Sequence, residues 1–552
     1  MKKRILKLIA LALVVLTAFS VVGCGGCDWS MFDALFEIQP EVPSGEWESS
    51  NGNSLVTDKE RGTQYWTEPP FTIILPPPLD FEGMKILFLT IDQDYYKREF
   101  YGVSYPDREG EEISLEEALA VRNDLVGETL NIEVDLEFAG ADVESARANI
   151  ADMIAKDLAS DLQSYDVLNL PDTIVTSLAI RDHNANLLDE EVFPYFDFEM
   201  EQAEKNDDNS RAPRFPWFKS LVNLHPNARL NYVAGPMNFS AIDNVNMIWY
   251  NESLYKENIE AGDYKDVQQL ALDQKWTYDE LYKIAGRYQS DDGDGYAIGF
   301  DADADKGKQY PMADAFRQAW NIEWTNENPD GTFFLTADNN SLAEEAYMRL
   351  KELYALDSTK KNGSVDDFVE GKYIFFVSKL SPSAEATEKL LNMDYLNGLL
   401  PMPKYNDKQS DYEFTTSGGT VLSVLNHSGV RAEGDKGEGI SAYLQLTAEE
   451  TLGVYGYHIM STVRQNWWGT ADRAYPYGYN IRFYGMICNN LKYRFTDVYS
   501  SHIGEISSLW SDAFESDSPD IITEYNKKKD SYEESLTDLN LWFGLIIIDE
   551  IT

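Results

Sequence analysis

Cysteine, histidine and positive charge are all scarce here: three cysteines, five histidines and 46 Lys and Arg against 94 Asp and Glu in 552 residues. A structural zinc site needs two ligand pairs. Cys24 and Cys27 make one C-x-x-C, Cys488 stands alone, and His183, His225, His427, His458 and His502 form no cluster to complete it. A redox C-x-x-C sits between a strand and a helix, whereas Cys27 runs into a polar, proline-bearing stretch. The formal charge of −48 repels phosphate backbones and anionic lipid headgroups, which excludes nucleic acid as a partner. No long apolar run follows the first two dozen residues, since LWFGLIIIDEIT at the C-terminus is short for a bilayer span and carries acids. The hydrolase, zinc-protease and P-loop patterns G-x-S-x-G, H-E-x-x-H and G-x-x-x-x-G-K-[ST] are missing too.

What is present begins with Lys2, Lys3, Arg4 and Lys7, an uncharged run from Leu8 to Phe19, and Ser20-Val21-Val22-Gly23-Cys24. A basic end, an apolar core and small residues at the cut are the layout of a secretory signal peptide. Val-Val-Gly-Cys resembles a bacterial lipobox, so residues 1–23 are expected to be removed and Cys24 to carry diacylglycerol, with Cys27 a bystander. Removing four positive charges and no negative one takes the formal charge from −48 to −52. Residues 24–80 lack periodicity, contain EVPSGEWESSNGNS and LPPPLD, and read as a tether.

Folded structure is predicted from about Phe81. MKILFLTI (84–91), alternating IEVDLEF (132–138) and YDVLNL (165–170) read as strands, separated by the helical patterns LEEALAVRNDLVGETL and ESARANIADMIAKDLAS. Right-handed crossovers make β-α-β-α-β a parallel sheet with helices on both faces. Further strands are expected at NVNMIWYN (244–251), YIFFVS (373–378) and TVLSVL (420–425), and capping boxes at Ser114–Glu117, Thr277–Glu280 and Ser341–Glu344. An α/β protein of two lobes, each with its own sheet, fits this order.

DFEGMKILFL, EALAVRNDLVGETLNIEVDLEF, VNMIWYNESLYKEN, KWTYDELYKIAGRY, DDGDGYAIGF, FVEGKYIFF and LLPMPKYNDKQSDY follow one another over residues 80–425. In that order they resemble the extracellular solute-binding lipoproteins of ABC importers, in particular the large carbohydrate-type group of Gram-positive bacteria. The resemblance implies a bilobed type II periplasmic-binding-protein-like fold, with two parallel or mixed sheets flanked by helices and a hinge beside a central cleft. It implies lobe one over 82–245 plus 405–455, and lobe two over 246–395 plus 456–552. It also implies a monomeric, non-enzymatic protein, lipid-anchored on the outer face of the cytoplasmic membrane, with a small-molecule carbohydrate ligand and permease subunits as partners. The C-terminal third departs from the family, showing STVRQNWWGTADRAYPYGY where an R-D-x-x-S-x-x-M-L-D pattern is usual.

Sugars need acids and amides for their hydroxyls and flat aromatic faces for their C–H patches. Asp92 and Gln93, Asp172, and Asp243 and Asn244 sit beside predicted strands at one shared edge; each could equally cap a helix or close a turn. Ser378 and Gly418 lie where the strands return. Trp320, Trp467 and Trp468 are the stacking candidates, with core packing the alternative for Trp320, and Arg473 could bond vicinal hydroxyls or a carboxylate. SDDGDGYAIGFD places Asp292, Asp294 and Asp301 at positions 3, 5 and 12 counted from Ser290. That is the spacing of a calcium loop, against the plainer reading of a glycine-closed turn. A glycosidase or a surface adhesin on the same fold are the competing functions.

Overall fold

MKILFLTI becomes strand β1 (Met84–Ile91), and its pleat explains the architecture around it. Ile86 and Phe88 point into one apolar core, Leu89 and Ile91 into another, as happens when a sheet is covered on both faces. The computed structural model describes strand residues 47–48, 54–58 and 63–66. From 79 to 545 it describes all but 102–114, 161–163, 199–216, 225–228, 236, 259–265, 289–294, 305, 417, 432–435, 464–482, 484–485 and 488–489.

In lobe one, β1 lies between β2 (Ile132–Gly140) and β3 (Val167–Pro171), parallel to both. Lobe two contains β4 (Asn246–Asn251), β5 (Tyr296–Asp301), β6 (Thr359–Gly363), β7 (Tyr373–Lys379) and β8 (Asn397–Pro401), in the order β6-β5-β7-β4-β8. Strands β5, β6 and β7 run parallel; β4 is antiparallel to its neighbours β7 and β8. The chain then returns to lobe one as β9 (Thr420–Val424), antiparallel to β3, completing the order β9-β3-β1-β2. The predicted two-sheet α/β architecture is therefore present, with mixed sheets.

The helices that matter for the site are α1 (Asp94–Tyr101), α2 (Leu115–Leu130), α3 (Val143–Ala159), α4 (Asp172–Ala179), α5 (Phe239–Asp243), α6 (Tyr278–Arg287), α7 (Ala313–Ala319), α8 (Ser341–Tyr354), α9 (Lys436–Val463) and α10 (Phe495–Val498). Two expected capping boxes are corrected. The Thr277 side chain makes no cap bond to α6. Helix α8 is capped one residue early, by Asn340 accepting from the Ala343 N–H, and Glu344 instead accepts from the Ile521 and Ile522 N–H groups. Ser114 lies outside the described residues. A reciprocal box does form at α3, between Asp142 and Ser145.

Candidate ligand cleft

The carboxyl ends of β1 and β3 and the matching ends of β5, β6 and β7 meet at the crossing segments, the edge where open α/β sheets present side chains to ligands. The first crossing, residues 243–247, is tied to lobe two where β7 ends: the Leu380 N–H donates to Val245 O (2.8 Å) and the Ser381 N–H to Asp243 O (2.9 Å). Lys379 Nζ donates to Asn244 Oδ1 (2.7 Å), and Asn244 Nδ2 to Ser240 O (2.9 Å). Asp243 is buried at the end of α5. Ser378 Oγ donates to Asp301 Oδ2, while Asp301 Oδ1 accepts from the Asp303 and Ala304 N–H groups. Burial raises the Asp301 carboxyl above its ordinary range despite those bonds. Gly418 has φ of +80°, a left-handed backbone that glycine adopts without strain. At Gly419 a Cβ would stand 2.4 Å from the Ala241 Cα, so glycine lets β9 enter against α5.

That close approach seats Thr420 in a polar knot the sequence did not reveal. Glu99 of α1, 2% exposed, accepts from the Ser240 N–H (2.9 Å), Ser240 Oγ (2.6 Å), Asn169 Nδ2 (2.6 Å) and Thr420 Oγ1 (2.8 Å). Burial raises its pKa, and the donors from Ser240, Asn169 and Thr420 pull the other way. Arg122, also buried, donates to Glu99 O and Thr451 Oγ1. Its pKa falls to about 10, burial outweighing the nearby charges. The available signal was helical spacing: Tyr96, Glu99 and Phe100 share one face, and its two aromatics are buried.

Asp172 begins α4 where β3 ends and is 5% exposed. Across from it runs the segment from Leu491, which touches both lobes. On the lobe-one side, Ser220 Oγ donates to Leu491 O (2.7 Å), the Tyr493 N–H donates to Ser220 Oγ (3.1 Å), and the hydroxyls of Tyr232 and Tyr499 meet at 2.8 Å. On the lobe-two side, Asp497 pairs with Arg317 and accepts from Gln318 Nε2 (3.1 Å), Phe495 stacks on Phe333 at 3.6 Å, and Arg494 bonds Glu323 and Glu413. Burial pushes the Asp172 carboxyl up to about 7; the Thr173 N–H and Arg147 oppose the rise and Asp497 adds to it.

The structure thus brings Asp172, Asp243, Asn244, Ser378 and Gly418 to the facing edge of the sheets. Asp92 and Gln93 are there too but serve the β1–α1 turn. Asp92 is exposed and paired with Lys97 (2.9 Å), and Gln93 O accepts the Tyr96 and Lys97 N–H groups. Trp320 is elsewhere: 1% exposed, it donates Nε1–H to Pro403 O (3.1 Å) and is boxed by Tyr278, Phe316 and Tyr405 in the lobe-two core. No face is left for a sugar, so it is corrected from platform to core. Trp467, Trp468, Arg473, Asp292, Asp294 and Cys24 lie outside the described residues.

No protein-family model matches the chain, and no curated protein matches it in sequence. Solved structures do. The sugar-binding protein MalE of the phytopathogen Xanthomonas citri is 12% identical with a TM-score of 0.52, over 84% of this chain and 99% of that one. An uncharacterized protein of Listeria monocytogenes is 10% identical with a TM-score of 0.50, over 82% of this chain and 100% of that one. At such identities the likeness is one of fold, and it agrees with the two mixed sheets and their crossing segments: the chain has the bilobed type II periplasmic-binding fold.

Proposed function

We propose that the protein captures a small solute, an oligosaccharide, between its lobes and delivers it to the permease of an ABC importer. The observation that carries this reading is the cleft edge itself. Acids, amides and hydroxyls from both sheets converge there, in a fold shared with a protein described as sugar-binding. A ligand touching both lobes favours the closed arrangement by its differential affinity, and closure is the signal a permease can read. The reading is of a binder and not of an enzyme: Glu99 is enclosed by Ser240, Asn169 and Thr420, committed to structure. In the described residues no helix is long and apolar enough to cross a membrane, and the proposed attachment to the outer face of the cytoplasmic membrane is lipid on Cys24.

The test is to heat the purified protein with a panel of oligosaccharides and to assay the same mixtures for products. The reading expects at least one sugar to raise the melting temperature with no product formed; release of shorter sugars would make it a glycosidase. The anchor is tested apart, by fractionation: Cys24→Ala that stayed with the membrane after signal cleavage would refute lipidation there.

A further inference from the structure

Asp172 is 5% exposed, yet among the described residues its carboxylate accepts a single hydrogen bond, from the Thr173 N–H. The charged groups that face it do not neutralise it. Arg147 of α3 is exposed, and its Nη2 reaches Thr173 Oγ1 at 3.4 Å. Arg317 is occupied by Asp497, Asp314 and Ile322 O. Asp497 is itself an acid whose charge raises the Asp172 carboxyl further, and Glu99 acts together with Asp172 on the Tyr493 hydroxyl. Phenols also lie within the field of Asp172. The charge of Asp172 acts on Tyr96, Tyr232 and Tyr493, and Tyr499 is bonded to Tyr232. The Tyr493 hydroxyl, on a side chain buried at 5% exposure and within the field of both Asp172 and Glu99, has no hydrogen-bond partner among the described residues.

A buried acid without a cation is costly to ionise. A neutral sugar hydroxyl would give it one hydrogen bond and leave its charge uncompensated, whereas an ammonium would supply both the donors and the charge. The molecule as a whole points the same way. With 94 acids against 46 bases, its field concentrates cations and steers them inward.

From this placement we infer that the cleft selects carbohydrates carrying a protonated amino group, with the ammonium seated on Asp172 and the Tyr493 hydroxyl bonding an adjacent ligand oxygen. This rests on the carbohydrate-capture reading above and narrows its ligand class.

Because burial holds the free carboxyl near about 7, binding a cation must expel a proton below that pH. Affinity for an amino sugar should therefore fall by about tenfold per pH unit between pH 7 and 5, while a neutral sugar should show no such slope. The experiment is calorimetry at pH 7 and pH 5 with matched sets: glucosamine, galactosamine and the glucosamine di- and trisaccharides, each beside its N-acetyl and hydroxyl counterparts. The inference expects an amino member to bind about tenfold or more tighter than both counterparts at pH 7. Asp172→Asn, which can still accept from the Thr173 N–H, should erase both the preference and the slope, with melting of the ligand-free variant as the check on folding. If a hydroxyl or N-acetyl member binds as well as its amine, or neutral oligosaccharides bind and no amino sugar does, the amine inference is overturned and carbohydrate capture stands. If no carbohydrate of either kind binds, both are overturned.

Discussion

Asp172 and Glu99 are both acids removed from water, and they differ in how fully the protein satisfies them. Glu99 has donors on both oxygens; Asp172 has one donor and an acidic neighbour. A site that leaves a buried carboxylate short of partners sacrifices stability for binding. The Asp172 carboxyl is raised from 3.8 to about 7, so the native state holds its proton where the unfolded chain has lost it. Stability is then lost as pH climbs from about 4 to about 7, and the loss is complete above 7. At about 1.4 kcal/mol per pK unit the ionised group costs roughly 4 kcal/mol at most. Asp172→Asn should accordingly raise the urea midpoint of the ligand-free protein at pH 8, with a smaller gain at pH 5; an equal or lower midpoint at pH 8 would mean the carboxylate is better satisfied than described. Trp320 belongs to the opposite class. Trp320→Ala should cost about 4 kcal/mol by opening a cavity while leaving the affinity of the folded protein unchanged, and a selective loss of binding would return it to the site. The sequence placed Asp172 just after a predicted strand and offered Trp320 as either platform or core. It could not say which way either side chain faced, because a tryptophan beside a helix end satisfies a core and a cleft equally well.

Among elements, strands were legible because long apolar runs such as YIFFVS and MKILFLTI have few places to go except a sheet covered on both sides. The segment from Leu491 was not legible. Its partners are distant in sequence, with Arg317 and Asp497 separated by 180 positions, and it carries no local period that would announce a bridge. The capping box expected at α8 failed for a related reason: the Glu344 side chain found N–H groups of a later helix in place of its own helix end. Similar competition is present at Asp301, the last position of the calcium-loop spacing from Ser290. Both oxygens of Asp301, needed at the last position of a calcium loop, are already occupied by Ser378 and two backbone N–H groups. The melting curve should thus be the same with excess chelator and with added calcium; a calcium-dependent rise would place an ion there.

At the scale of the whole molecule, the two lobes meet along crossing segments and the stretch from Leu491, where one apolar core runs through residues of both lobes and polar side chains line the first crossing. Such a body gains stability from a ligand that contacts both sides, by about 2.7 kcal/mol when the ligand is at a hundred times its Kd. The proposed carbohydrate site lies between the lobes at Asp172. Titration calorimetry of the whole chain and of Asp172→Asn, with the sugar that most raises the melting temperature, probes that site. One sugar should bind per chain, with affinity weakened by about tenfold or more in the folded variant; saturable binding that Asp172→Asn leaves unchanged would put the site elsewhere.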